Sequence, residues 1–556
     1  MTTGREVLIE VLRTEGVTHV FGNPGTTELP LIDALASVGD ITYVLALQEA
    51  TAVAMADGYA AVSGKPAFLN LHTSAGLGNA IGNLTNAMAN RSPIVVTAGQ
   101  QDYRHIVTEP LLAGDLVGLA TAVSSSAVEV RTLGEMGTVL RRAFLEAAIA
   151  PRGPVFVSLP MDIVDADGDG DGDGDEVDVP APSSIDRATV AGGLEELAEA
   201  LAATSPDRLA IVAGDEVGSY GAIASLVAVA EALGARVHGP PLASGVGFPT
   251  SHPLWQGNLP AAAAAMRPVL ERYERVFAIG GTPFLTYPYT PGPSVPPSVE
   301  LFHLSPAAGD VGRTYAVRLG LVGDPRATLD ALLPLVTKCA DSAAASDALD
   351  VARVARADAI EKFASAARDR YEGSPVQPIA AAHAIVSSAP AGTPVVDESI
   401  TMTGHVRGFA RAEAHGDYLF CKGGGLGWGM PASLGVSLAR GGAPVLCVIG
   451  DGSAMYSPQA LWTAAHERLP VVFAVANNRQ YLILKNALRQ RDGAASRGDR
   501  FLGMDVVDPA IDFVALATSM GVAATRVSTA DEAADAVRAA FASGAPHLVE
   551  VPVAAR

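Results

Sequence analysis

Cysteine is nearly missing from this 556-residue chain: three occur, at 339, 421 and 447, none in C-x-x-C spacing. That excludes a disulfide framework and a cysteine-built structural zinc site, and it suits a reducing, cytoplasmic setting. Basic residues are also scarce, with 38 Lys plus Arg against 59 Asp plus Glu and a formal charge of −21. Such a chain presents no broad cationic surface, so nucleic acid is not expected as a partner. No apolar run is long enough to span a bilayer, and the opening MTTGREVLIEVLRTEG reads as a helix without the basic region and apolar core of a secretion signal. A membrane or secreted role is therefore not expected. Solenoid-type repeats are missing too.

What is present is ample apolar material, 49% of residues, on a length that allows three or four domains. Strand and helix patterns alternate throughout, so the fold class expected is α/β, with three doubly wound parallel-sheet domains. The expected organisation is a first domain over 1–164, an acidic Gly/Asp linker over 165–182, a Rossmann-like middle domain over 183–339, a linker and leading helix over 340–375, and a last domain over 376–556. DADGDGDGDGDE, residues 165–176, carries self-repelling carboxylates between glycines and reads as a linker. Calcium binding is the sharper alternative, but the distal glutamate of an EF-hand is missing. GDEVGSYG in the middle domain is not GxGxxG, and no dinucleotide is expected there.

The densest chemistry lies in GDGSAMYSPQALWTAAHERLPVVFAVANN, Gly450 to Asn478. VLCVIG before it suits a buried strand, Ser457 and Pro458 read as N-cap and N1 of a helix reaching about Leu469, and PVVFAVANN is a second strand. A right-handed crossover brings both strand ends to one sheet edge, where Asp451 and Asn478 can meet. A carboxylate and an amide carbonyl are oxygen ligands suited to magnesium, with calcium possible. Gly450 and Gly452 let the backbone approach a phosphate, and Ser453 offers its N–H and hydroxyl. A second group lies upstream. Glu49 follows the apolar run TYVLAL and opens an Ala-rich helix, Thr26 sits in the turn FGNPGTTELP, and His72 ends the strand of NLHTSAG. Histidine can work as acid or base near neutrality; the ordinary readings are a core histidine, a helix-capping threonine and a glutamate at a helix start.

Taken together, FGNPGTTELP, ALQEA, LHTSAGLGNA and GDGS…NN resemble the thiamine diphosphate-dependent 2-oxo acid decarboxylases, most closely the benzoylformate decarboxylases, over nearly the whole chain. The resemblance implies that Glu49 protonates the aminopyrimidine of thiamine diphosphate, that Thr26 and His72 serve acid–base or substrate-orienting work, and that Asp451, Asn478 and the Gln480 carbonyl hold the metal. CKGGGLGWGMP would then bend the cofactor, with Leu426 as its apolar wedge and the Gly424 carbonyl accepting from its amino group. A glycine-rich run alone would be only a flexible turn. The family also implies a homodimer or homotetramer with sites at the subunit interface.

Two departures stand against the closest match. IGGTPFLTYPYTPG, residues 279–292, lacks the family's second catalytic histidine and offers Tyr287 nearest to it, and Ile483 stands where the family can have a small pocket residue, which would narrow the space for an aromatic ring. The expected reaction is nonetheless non-oxidative decarboxylation of a small 2-oxo acid, benzoylformate first, to an aldehyde. The alternatives are a carboligase of acetolactate synthase or benzaldehyde lyase type, and a non-catalytic binding protein on the same fold.

Overall fold

The computed structural model describes residues 3–166 and 179–555. The acidic run therefore lies, from residue 167 onward, outside the described residues. These form three six-stranded sheets, parallel throughout. In spatial order the first runs Thr42–Leu45, His19–Gly22, Ala67–His72, Ile94–Gln100, Pro154–Pro160, Ser126–Glu129. The third runs Tyr418–Phe420, Val395–Glu398, Val445–Gly450, Val471–Asn477, His547–Pro552, Ala523–Arg526. Numbered within each sheet, both have the order 2-1-3-4-6-5. The middle sheet, Leu319–Val322, Glu300–Ser305, Arg275–Ile279, Leu209–Ala213, Arg236–Gly239, Trp255–Asn258, has the order 6-5-4-1-2-3, the Rossmann arrangement that its sequence predicts.

The central strands are buried along their whole length, as sheets covered by helices on both faces require. Helix Glu49–Ser63 is capped by the Gln48 side chain and stopped by Gly64 at φ +67°. It packs on helix Gly429–Ala439 of the third sheet's domain so closely that a Cβ on Gly58 would overlap the Ala432 carbonyl, and one on Gly435 that of Met55. One apolar core thus runs through both domains. Trp428 Nε1 donates to Asp57 Oδ2 (2.7 Å), a carboxyl whose pKa is raised by burial.

Ion pairs tie in the middle domain. Lys422 meets Asp215 at 3.0 Å, and Arg91 meets both Glu216 and Asp310 at 2.9 and 2.7 Å. The acidic pair of GDEVGSYG thus serves domain contacts. Two local expectations shift. The helix expected from Pro458 forms over Ala460–His466, and the buried Ser457 hydroxyl makes no capping bond. The Ala/Ser/Asp stretch at 340–346, read as the start of a linker, enters helix Ser342–Arg368, with the Asp341 carboxylate accepting from the N–H groups of Ala343 and Ala344. Asp341 is an N-cap there, a use of Asp that composition alone does not separate from a loop.

Candidate active site

In an open parallel sheet, neighbouring connections leave a crevice at the carboxyl ends of the strands where the order reverses. In the first sheet that point lies between His19–Gly22 and Ala67–His72, whose ends lead into the Asn23-Pro24-Gly25 turn and His72. Glu28 holds this corner together. Its carboxylate accepts from the Gly25 N–H (3.0 Å), the Gly99 N–H (3.1 Å) and the Thr27 hydroxyl (2.6 Å), and lies 2.8 Å from His72 Nδ1. Burial raises the Glu28 pKa, while these partners pull against the rise. A Cβ on Gly25 would overlap the His72 ring, and one on Gly99 would overlap Glu28 and Thr27, so the cluster requires both glycines.

The structure separates two adjacent threonines. Thr27 is buried and its hydroxyl lies 3.1 Å from His72 Nδ1, whereas Thr26 is exposed at the mouth of the turn. Glu49 is the first residue of its helix and is buried; Asn79 donates to it at 3.0 Å and Asn23 at 3.4 Å. Glu49 and His72 flank Gly76, where an added Cβ would lie 3.2 Å from Glu49 Oε1 and 3.6 Å from the His72 Cβ. The upstream group is thus assembled in one place.

The third sheet reverses between Val395–Glu398 and Val445–Gly450, and the second group gathers there. Asp451 starts a single helical turn, Asp451–Ala454, and its register neighbour Val471–Asn477 delivers Asn478 beside it. The Asp451 carboxyl is buried, which raises its pKa, and backbone N–H groups of Gly452, Arg479 and Asn478 oppose the rise. Asn478 Oδ1 accepts from the Gln480 N–H (3.0 Å), and the Gln480 carbonyl accepts from Leu482 (3.0 Å). Ser453 is buried in the same turn. An added Cβ at Gly450 would find its nearest neighbour 3.9 Å away, whereas at Gly452 it would lie 2.7 Å from the Tyr481 ring. Gly452 is thus glycine because of Tyr481, whereas at Gly450 an added Cβ would make only ordinary contacts.

Between the two groups lies 421–431. Gly424 has φ +76° and open space around it, and Asn86 of the first domain grips Gly425 through both its N–H and carbonyl, each at 2.9 Å. Leu426 is half-buried beside it. Glu398, at the end of its strand, accepts from the N–H groups of Gly427 (2.7 Å) and Gly429 (2.6 Å). Burial pushes its pKa up to about 7, with those N–H groups opposing. Glu28 and Glu398 are the residues that sequence reading passes over. Each closes a motif already noticed, but a glutamate at an element's end looks the same whether solvated or buried.

Within one chain no hydrogen bond among the described residues joins the Glu28–Glu49–His72 group to Asp451, Asn478 or Gln480. Tyr287 is exposed, its N–H bonded to the Ala261 carbonyl.

The thiamine pyrophosphate enzyme descriptions match in order: the N-terminal TPP binding domain at residues 2–116, the central domain at 194–332 and the C-terminal TPP binding domain at 402–551. A benzoylformate decarboxylase of Pseudomonas aeruginosa is 34% identical over 99% of both chains. The chain belongs to the thiamine pyrophosphate enzymes. It is thus a thiamine diphosphate-dependent enzyme, and similarity extends in two directions within that family. A Mycobacterium tuberculosis protein provisionally named an acetolactate synthase large subunit is 32% identical over 99% of both chains. The solved 4-hydroxybenzoylformate decarboxylase of Rhodococcus jostii RHA1 superposes with a TM-score of 0.86 at 32% identity, over 99% of both chains.

Proposed function

We propose that the enzyme decarboxylates a small 2-oxo acid without oxidation, releasing an aldehyde, with benzoylformate as the leading substrate. The observation that carries this reading is the His72–Glu28–Thr27 cluster beside Glu49, because it sets an imidazole and a carboxyl at one crevice. Similarity to the P. aeruginosa and R. jostii decarboxylases supports it.

The residues present fit the cofactor. Gly424 borders open space, no atom crowds Gly450 closer than 3.9 Å, and Asp451 is a buried carboxylate bonded to no cationic side chain among the described residues, as a ligand for a dication needs to be. Asp451, Asn478 and the Gln480 carbonyl would hold magnesium, or calcium, against the diphosphate, with Gly450, Gly452 and Ser453 at the phosphates. The Gly424 carbonyl would accept from the aminopyrimidine and Leu426 would give the cofactor an apolar support. Bound thiamine diphosphate supplies a carbon nucleophile and an acceptor for the electron pair left by carbon dioxide. Glu49 holds the proton on the pyrimidine ring. His72, with Nδ1 engaged by Glu28 and Thr27, presents Nε2 to the substrate carboxylate or to the departing product. Thr26, at the rim, offers a further hydroxyl.

That no hydrogen bond among the described residues joins the two groups within one chain accords with a homodimer or homotetramer in which a second copy completes the site. Large apolar side chains stand exposed next to both groups in the chain, Leu29 and Leu47 by the first, Met455, Tyr456, Ile483 and Leu484 by the second. A specific observation favours a second reading, carboligation: Tyr287 is exposed and no second imidazole bonds the His72 cluster among the described residues. A panel of 2-oxo acids incubated with thiamine diphosphate and magnesium, with products identified, tests both. Aldehyde and carbon dioxide from benzoylformate support the first reading; hydroxyketone or acetolactate as the main product replaces it with the second.

A further inference from the structure

We propose that the cavity between the middle sheet and the last domain, remote from the Glu28 and Asp451 groups in its lining, binds a small aromatic carboxylate. It measures about 440 Å³ and opens at the carboxyl ends of the middle strands Leu209–Ala213, Arg236–Gly239 and Trp255–Asn258. Helix Ser342–Arg368 closes one side and helix Thr403–Phe409 another. That volume falls in the range of small-molecule sites.

The charge of its wall is unusual for this chain. Arg356 and Arg407 line it, and no carboxylate does, although acidic residues outnumber basic ones by 59 to 38 overall. Arg356 donates through Nη2 to the Thr250 carbonyl (2.6 Å), while its Nε is buried and unpartnered. Arg407 donates to the Ala243 carbonyl (2.6 Å), its guanidinium lying over the rings of Tyr418 and Phe420 at 4.7 and 4.9 Å. Neither arginine forms an ion pair among the described residues, whereas Arg91, where the first domain meets the middle one, reaches two carboxylates. Burial lowers the Arg356 pKa and the neighbouring Arg411 lowers it further, against Glu413. An anion placed between the two guanidinium groups would relieve this.

The rest of the wall selects the anion's body. Phe248 and Trp255 stack at 6.4 Å between ring centres, and Phe363 and Tyr418 add two more rings. A planar ring seats against such surfaces, and a carboxylate matches the fork of a guanidinium.

Trp255 in the wall supplies the readout, one of three tryptophans in the chain. Benzoate titrated into the holoenzyme is expected to give a saturable change in tryptophan emission that Trp255→Phe removes. Arg356→Met should weaken the midpoint by roughly tenfold or more, with partial recovery in Arg356→Lys, since a charge-assisted pair is lost and then restored as a point charge. Ala359→Trp, from the exposed side of its helix, should block entry without disturbing a packed residue. No saturable change borne by Trp255, or equal midpoints in the parent, Arg356→Met and Ala359→Trp, would overturn the proposal. The titration needs no turnover, so its result stands apart from that of the decarboxylase assay.

Discussion

The first and last domains share a strand order and a reversal point, yet the crevices they place there carry opposite chemistry. At the first, the strand ends and the turns after them deliver ionisable side chains, Glu28, Glu49 and His72, packed so tightly that Gly25 and Gly99 cannot carry side chains. At the last, they deliver oxygen donors, Asp451 and Asn478, with open space at Gly424. A common backbone therefore fixes where a ligand lies, and a few residues past the strand ends decide what is done to it. The middle domain makes the same point by contrast: its order is 3-2-1-4-5-6, and its conspicuous acidic residues are spent on Arg91 and Lys422.

If the two crevices divide holding from proton transfer, breaking each should produce a different defect. We predict that Asp451→Ala has the largest effect, abolishing measurable retention of thiamine diphosphate, because the proposed shell loses its only carboxylate. Calorimetric titration with magnesium and the cofactor checks this, and unchanged affinity would remove Asp451 from the metal. Glu49→Gln should do the reverse. Cofactor affinity is kept, while exchange of the cofactor's C2 proton slows by about 10² to 10⁴, the usual range for a lost acid–base group. Exchange at the parent rate would refute the assignment.

The contrast also explains what the sequence made legible. All three sheets, the Rossmann character of the middle one and the placement of Glu49, His72, Asp451 and Asn478 at element ends follow from apolar periodicity and from turns, which are local signals. Glu28 and Glu398 did not show, since their burial depends on glycines 71 and 29 to 31 residues away. Thr27 went unremarked beside Thr26 for a related reason: in the single turn Thr26–Glu28 one side chain is buried and its neighbour exposed, and only packing against His72 tells them apart. The helix start at Pro458 failed because Ser457 is buried where it cannot cap.

Glu398 gives an intermediate effect, on stability. Its pKa rises from 4.5 to about 7 through burial, so between those values the folded chain holds a proton that the unfolded chain has released. Stability from this group is therefore greatest below about pH 4.5 and is lost as pH rises to about 7, a difference of about 3 kcal/mol in all. Glu398→Gln should lower stability at acid pH, since an amide cannot accept from both Gly427 and Gly429, and should flatten the decline across that window. Melting curves for parent and variant measure it. Parallel declines would show that Glu398 stays ionised, with the two glycine N–H groups outweighing burial.

The smallest effect is expected at Tyr287, and it asks whether the middle domain takes any part in the chemistry assigned to the other two. In a single chain the ring is 69% exposed and only its backbone N–H is held, by Ala261. Its phenolic hydroxyl can donate a hydrogen bond but is no general substitute for an imidazole. Restoring an imidazole with Tyr287→His therefore changes chemistry only if the loop reaches the crevice of a second copy. We predict that, with benzoylformate and excess acetaldehyde, the ratio of hydroxyketone to free aldehyde moves by less than about threefold, within roughly 0.7 kcal/mol. A larger shift toward aldehyde would mean that the loop spans the subunit interface and that product protonation is limited by the missing imidazole. The division of labour between the first and last domains would then need a third contributor.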